Sequence, residues 1–297
     1  MRPLLFALFL FSFIQASFAQ ITMETERADD GSMELYTVNS TVIPYTVLID
    51  YAELSNLNST GSTSMVVARP GKSKVVTLKR TVESQPTNVR YTFTYVKGDY
   101  TRRSKTEAVY LIPLPEETQT RGIRMTHIEN RLQPKEVNLE YVGISFEFGL
   151  PTEILAPRKG VVSDLQMGKS SEKENLDFDR GENFIELFHE DGSLTKVMVL
   201  SPGSEKVKLG QVVFPGDVLA SSSGEAYNSG FHVRLANMKP FKDPDGKLRY
   251  EMTPMKFVFK GGESDFSSPM EVAVVHPVEL VTGEMSKKEK KEFEAGK

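Results

Sequence analysis

The sequence predicts a mainly β protein, and three observations carry that prediction. Apolar and polar residues alternate with period two through the first part of the chain, β-branched residues crowd those segments, and turn clusters such as "NLNSTGST" and "ARPGKSK" separate them. From about residue 132 glycines and prolines punctuate still shorter apolar runs.

Taken in order, the chain opens with Arg2, an apolar run from Leu4 to Ile14, and Ser17-Phe18-Ala19 before Gln20. A basic start, a short apolar segment and a small-x-small site are the pattern of a signal peptide over residues 1–19. The expected product is exported, to the periplasm or beyond the cell. No cysteine follows to carry a lipid. No later window approaches the roughly 20 apolar residues that span a bilayer, so no membrane anchor is expected after cleavage.

Residues 20–131 contain "STVIPYTVLIDYAEL", "SKVVTLKRTV", "VRYTFTYVKGDY" and "EAVYLIPL". Short strands at close spacing with no helical period predict an immunoglobulin-like β-sandwich. No catalytic constellation stands out there, and Arg90, Lys97, Arg102 and Arg103 read as strand surface. Residues 132–240 give "VGISFEFG", "TEILAPRKGVVSDL", "NFIELFHEDGSLTKVMVL", "KVKLGQVVFPGDVLAS" and "SGFHVRLAN". A polar run between Gln166 and Glu182 reads as a long exposed loop. Residues 241–297 form an extension with one alternating strand, "EMTPMKFVFKGG", and the charged run "SKKEKKEFEAGK", expected as a solvated helical tail with paired charges.

Composition narrows the function. The 297 residues carry a formal charge of -4, which becomes -5 when Arg2 leaves with the leader, so neither nucleic acid nor an anionic membrane is an expected partner. With no cysteine, an exported domain must be stabilised by burial rather than by disulfides. The four histidines are His127, His189, His232 and His276, and no two stand at the i, i+2 or i, i+4 spacing of a preformed ligand pair. His189 reads as a surface residue near a turn.

The segment from Tyr141 to Leu235 resembles the LytM/lysostaphin family of zinc metallopeptidases. That family's H-x-G-x-D strand corresponds to Tyr141-Val142-Gly143-Ile144-Ser145, and its G-T-x-V-x-A-P segment to "LPTEILAPRKGVV". An H-x-D-G turn is matched by His189-Glu190-Asp191-Gly192, and Y-A-H-L-S by Val197-Met198-Val199-Leu200-Ser201. "VKLGQVVFPGDVLA" follows the family's glycine series, and G-x-H-x-H is met by Gly230-Phe231-His232-Val233-Arg234. The resemblance implies a duplicated hybrid motif of barrel-sandwich type after the N-terminal sandwich. Gly160, Gly210 and Gly216 are expected at turns requiring positive φ.

Carried over residue by residue, the resemblance implies a degenerate site. The zinc-ligand positions fall on Tyr141, Ser145 and Arg234, and the auxiliary histidine position on Val199. His232 alone keeps its family identity. Zinc needs imidazole, thiolate or carboxylate ligands converging at about 2.0–2.2 Å, which a phenol, a hydroxyl and a guanidinium do not supply. No zinc or other cofactor is therefore expected. Arg234 is expected to replace the metal's charge and to meet a carboxylate, with Glu147 the first candidate because it shares a strand face with Ser145; the alternative places Arg234 in solvent at the groove edge.

The function that follows is a non-catalytic envelope module that binds peptidoglycan or regulates a wall hydrolase. The alternatives are a cell-wall metalloendopeptidase with a divergent site and a hydrolase pairing His232 with Ser145. The glycine series also resembles biotinyl and lipoyl domains, but Lys169 precedes that series and export removes the modifying enzymes, so this kinship is one of fold.

Overall fold

The computed structural model describes residues 20–103, 108–125, 143–170, 176 and 181–296. The expected leader, Tyr141 and His127 lie outside the described residues. Among the described residues no helix is long and apolar enough to cross a membrane. The fold is mainly β, as the alternation predicts.

The N-terminal unit holds β1 (Ile21–Arg27), β2 (Met33–Asn39), β3 (Tyr45–Ser55), β4 (Leu57–Asn58), β5 (Thr63–Ala68), β6 (Gly71–Arg80) and β7 (Asn88–Lys97). They form two antiparallel sheets, ordered β1-β2-β6-β4 and β5-β3-β7. The chain therefore crosses between sheets, and the inward positions of both, including Leu35, Val47, Ile49 and Leu78, close one core. Along β7 the alternation is visible in the burial: Val89, Tyr91, Phe93 and Tyr95 pack inward, while Arg90, Thr92 and Thr94 face water.

The second unit follows with β8 (Val109–Leu111), β9 (Gln119–Arg124), β10 (Gly143–Glu147), β11 (Glu153–Leu155), β12 (Gly160–Gln166), β13 (Phe184–Phe188), β14 (Leu194–Met198), β15 (Val212–Val213), β16 (Val218–Ser221), β17 (His232–Lys242), β18 (Leu248–Met252), β19 (Lys256–Phe259), β20 (Gly262–Ser264) and β21 (Met270–Ala273). A nine-stranded sheet runs β15-β12-β13-β14-β17-β10-β9-β21, with β18 also on β17. Two smaller sheets, β11-β16 and β20-β19-β8, complete the unit.

These pairings correct the expected division of the chain. The boundary at 131 does not follow the sheets, because β9 pairs with β10 and β8 pairs in parallel with β19. Nor is 241–297 an appendage. Phe257 and Phe266 are fully buried and pack edge-on against Phe146 at 4.9 and 5.2 Å, which makes the extension part of the second core. Such aromatic pairs add about 1 kcal/mol each beyond the area they bury.

Two short helices end the chain, α1 (Val278–Gly283) and α2 (Lys287–Ala295). Ser286 and Glu289 form a capping box that starts α2, and Lys288 pairs with Glu292 one turn on at 3.7 Å. The tail is helical as expected, yet it is tied to the body: Glu289 meets Lys159 at 2.8 Å. Gly210 and Gly216 have φ of +81° and +93°, the conformation their turns were expected to require. Gly160 does not; it opens β12 beside His189, where an added Cβ would lie 3.1 Å from the ring, so it serves close approach.

One face of the large sheet decides where a site can be. Residues directly opposite in paired strands share a face. Phe184, Met198, Arg234 and Ser145 form one such row, and Glu186, Lys196 and Ala236 the next. The alternate positions, Ile185, Val197, Leu235 and Ile144, point into the second core. Farther along the outer face, Leu194, Phe188 and Met238 pack into the core of the N-terminal sandwich, and Lys97 of β7 reaches Asp164 at 2.5 Å and Glu186 at 2.8 Å. The sandwich therefore covers one end of the face that carries Arg234. Lys97 was expected as strand surface; it is instead the main charged tie between the units.

Candidate functional site

The open end of that face is bordered by three loop segments. Glu182 and Asn183 lead into β13, Val199 to Pro202 follow β14, and Ser223 to Tyr227 lie in the loop before β17. Together with Lys169, Ser170 and Gly181 they line a cavity of about 440 Å³. The last loop doubles back tightly at Gly224, whose φ is +144°; a Cβ there would lie 2.2 Å from the Gly230 carbonyl, so only glycine fits.

Ser145 and Arg234 stand directly opposite each other across β10 and β17. Both are buried. The carboxylate that meets Arg234 is Glu182, whose Oε1 accepts from the guanidinium Nη1 at 2.5 Å, with each side chain only 5% exposed. The expectation of Glu147 is therefore corrected. Glu147 lies opposite His232, two residues along the strand pair from Ser145 and Arg234, and its carboxylate turns to Arg121 at 3.5 Å. The alternative of a solvent-facing Arg234 is excluded by its burial.

Tyr227 joins the pair. Its hydroxyl donates to the same Glu182 oxygen at 2.9 Å, and the guanidinium carbon lies 5.1 Å from its ring centre, a cation–π contact in a partly dry setting. The ring also meets His232 in a T-shaped contact at 5.0 Å. Glu182 and Tyr227 thus line the cavity while Arg234 and His232 are buried beneath them.

His232 is fully buried. Its Nδ1 lies 2.7 Å from the Gly230 carbonyl, which can only accept, so Nδ1 carries the proton and Nε2 is left as a bare lone pair. Among the described residues Nε2 has no hydrogen-bond partner. Burial, reinforced by the Arg234 charge, pushes the imidazole down to about 4, and it is neutral at physiological pH.

Val199, at the auxiliary histidine position, closes β14 with φ at +68°. A β-branched residue rarely adopts that conformation. It is imposed from both sides: the Val199 amide donates to Asn183 and its carbonyl accepts from Ser223, each at 3.1 Å. The backbone bend at this position is sharp, but the side chain it presents is apolar.

His189, expected at the surface, is also buried. It hydrogen-bonds the Lys159 carbonyl through Nδ1 and Thr195 through Nε2, both at 2.7 Å, and burial lowers it to about 4. It braces the β13–β14 turn from the far end of the sheet.

No family model matches the chain, and no curated protein does. Twelve chains of solved structures are similar. One is the SpoIIQ–SpoIIIAH pore-forming complex, with a TM-score of 0.32 and 18% identity over 49% of this chain and 89% of that one. Another is Csd3 of Helicobacter pylori, at 0.31 and 11% over 92% of this chain and 83% of that one. A third is a peptidase M23 of Pseudomonas aeruginosa, at 0.25 and 16% over 65% and 82%. The chemistry of the site resides in its own side chains.

Those side chains do not fit a zinc ion. Among the described residues no three of His, Cys, Asp or Glu converge closely enough to hold one. Glu182 is engaged by a permanent cation, Ser145 faces that cation, and Val199 offers no donor atom. The arrangement is a buried ion pair roofed by a tyrosine, beside a neutral imidazole, at the floor of a polar cavity. Glu182 and Tyr227 were missed in the sequence because strand periodicity relates only residues within strands, and both come from loops.

Proposed function

We propose that the protein is an exported envelope module in which a LytM-type groove has been kept for binding and not for hydrolysis, its ligand being peptidoglycan or a wall hydrolase that it regulates. The observation that carries this reading is the Arg234–Glu182 pair with Tyr227 across it, lying where the family resemblance places metal ligands. A guanidinium repels a divalent cation, and pairing with it takes the Glu182 carboxylate out of service as a metal ligand, which supports a site that does not make metal-bound hydroxide. The 440 Å³ cavity above remains available to a ligand.

Purified mature protein tests this directly. Metal analysis is expected to give far less than one zinc per chain, wall digestion no products, and a pull-down on peptidoglycan sacculi or on a co-purifying hydrolase a retained complex. Stoichiometric zinc with chelator-sensitive wall cleavage would overturn the reading.

A further inference from the structure

Away from the groove, Arg158 is a buried guanidinium with two separate duties. Its Nη1 donates to Asp191 at 2.7 Å and lies over the Tyr110 ring, 5.6 Å from guanidinium carbon to ring centre. Its other edge forms a fork: Nε and Nη2 reach the carboxylate of Glu284 at 3.0 and 2.6 Å. The next residue, Lys159, bonds the Glu284 carbonyl at 3.1 Å and the Glu289 carboxylate at 2.8 Å. Arg158 is only 5% exposed with the tail in place, and Asp191 fixes its Nη1 edge from the body of the second unit.

The helices of the tail that fills it pack lightly among the described residues. Neither α1 nor α2 buries a residue, and Val278 is 50% exposed. Met285 is the buried apolar contact of the segment. Asp191 also pairs with Arg158 at 2.7 Å, so departure of the tail would leave the buried cation a counter-charge. Although burial works to raise Asp191, Arg158 and Ser193 hold it down at about 2, which keeps that counter-charge in place across ordinary pH.

We propose that Arg158 and Lys159 form a carboxylate-docking site, occupied in cis by Glu284 and Glu289, from which the tail is released to admit an acidic peptide segment in its place. The ligand class is a segment with one carboxylate just before a helix and a second in that helix's first turn, at the spacing of Glu284 and Glu289.

The test uses the full chain with Glu284→Gln and Glu289→Gln together. Glutamine at the second position can still close the capping box, so the helix survives while both charges are lost. Trypsin should cut at Lys287, Lys288, Lys290 and Lys291 about tenfold faster than in the unaltered protein. A labelled synthetic peptide of residues 278–297 should bind the double variant, fail to bind the unaltered protein, and lose binding when Lys159→Gln is added. The proposal is overturned by an unchanged trypsin rate, by peptide binding equal in both proteins, or by binding that ignores Lys159→Gln.

Discussion

Arg234 and Glu182 meet at 2.5 Å although 52 positions separate them in the chain and the carboxylate comes from a loop, not from the strands that flank the arginine. Both side chains are nearly buried, so the pair is high in stakes even where its net contribution is small. Removing one partner weakens the hold on the other charge in a dry setting, which costs up to about 3–5 kcal/mol, whereas replacing both with apolar groups of similar size is near neutral. Glu182→Gln alone is expected to destabilise by about 3 kcal/mol in urea unfolding, and Arg234→Met with Glu182→Leu to recover most of it. If the double variant were as unstable as the single one, the two side chains would not be acting as a pair.

Val199 allows a comparison within one strand region. It and Val197 are both buried, but only Val199 has positive φ. Glycine at either site loses the buried side chain and gains unfolded-state entropy, costing about 3 kcal/mol in total. At Val199 relief of the left-handed conformation returns about 1–2 kcal/mol. Val199→Gly should therefore lower stability by about 1–2 kcal/mol less than Val197→Gly. Equal losses from the two variants would show that Val199 is not strained.

The sequence shows some of this and hides the rest for physical reasons. "VRYTFTYVK" alternates as β7 does, and "GISFE" and "HVRLAN" are the strands that set Ser145 opposite Arg234. Strand content, burial pattern and the backbone frame of the site follow from local period and turn chemistry. Which sheet a strand joins does not. "QTRGIR" of β9 carries no mark that it will pair with β10 across an intervening segment, and β8 finds β19 nearly half the chain away. The counter-ion of Arg234 was hidden for the same reason: a loop carboxylate has no period, and its position depends on the tertiary path of residues around it.

Lys97 offers a test of how the two units hold together. It is 17% exposed and bridges Asp164 and Glu186, the latter only 8% exposed and also accepting from Ser163. Lys97→Met keeps the aliphatic stem and removes the cation, leaving Glu186 buried without it, at a cost of about 2–4 kcal/mol. The loss should fall on the contact between units more than on either core. Hydrogen exchange is therefore expected to quicken in β7 and β13 first, with β10 unaffected. Uniform quickening across both units would instead mean that they unfold as one.

Acid should reveal the buried imidazole at the site. His232 has a folded value of about 4 against about 6.5 when unfolded, so the fold favours its neutral form. Its contribution is complete above pH 6.5 and is lost as pH falls toward 4, with a slope of about 1.4 kcal/mol per unit and a total of about 3 kcal/mol. Asp191, held near 2, adds its own loss only at lower pH, so the two are separable along the titration. His232→Asn retains a donor for the Gly230 carbonyl and does not titrate. Urea stability measured from pH 7 to 4 should therefore fall about 3 kcal/mol less in this variant than in the unaltered protein. Parallel pH profiles would mean that the imidazole becomes charged inside the folded protein, with solvent reaching Nε2 beneath Tyr227.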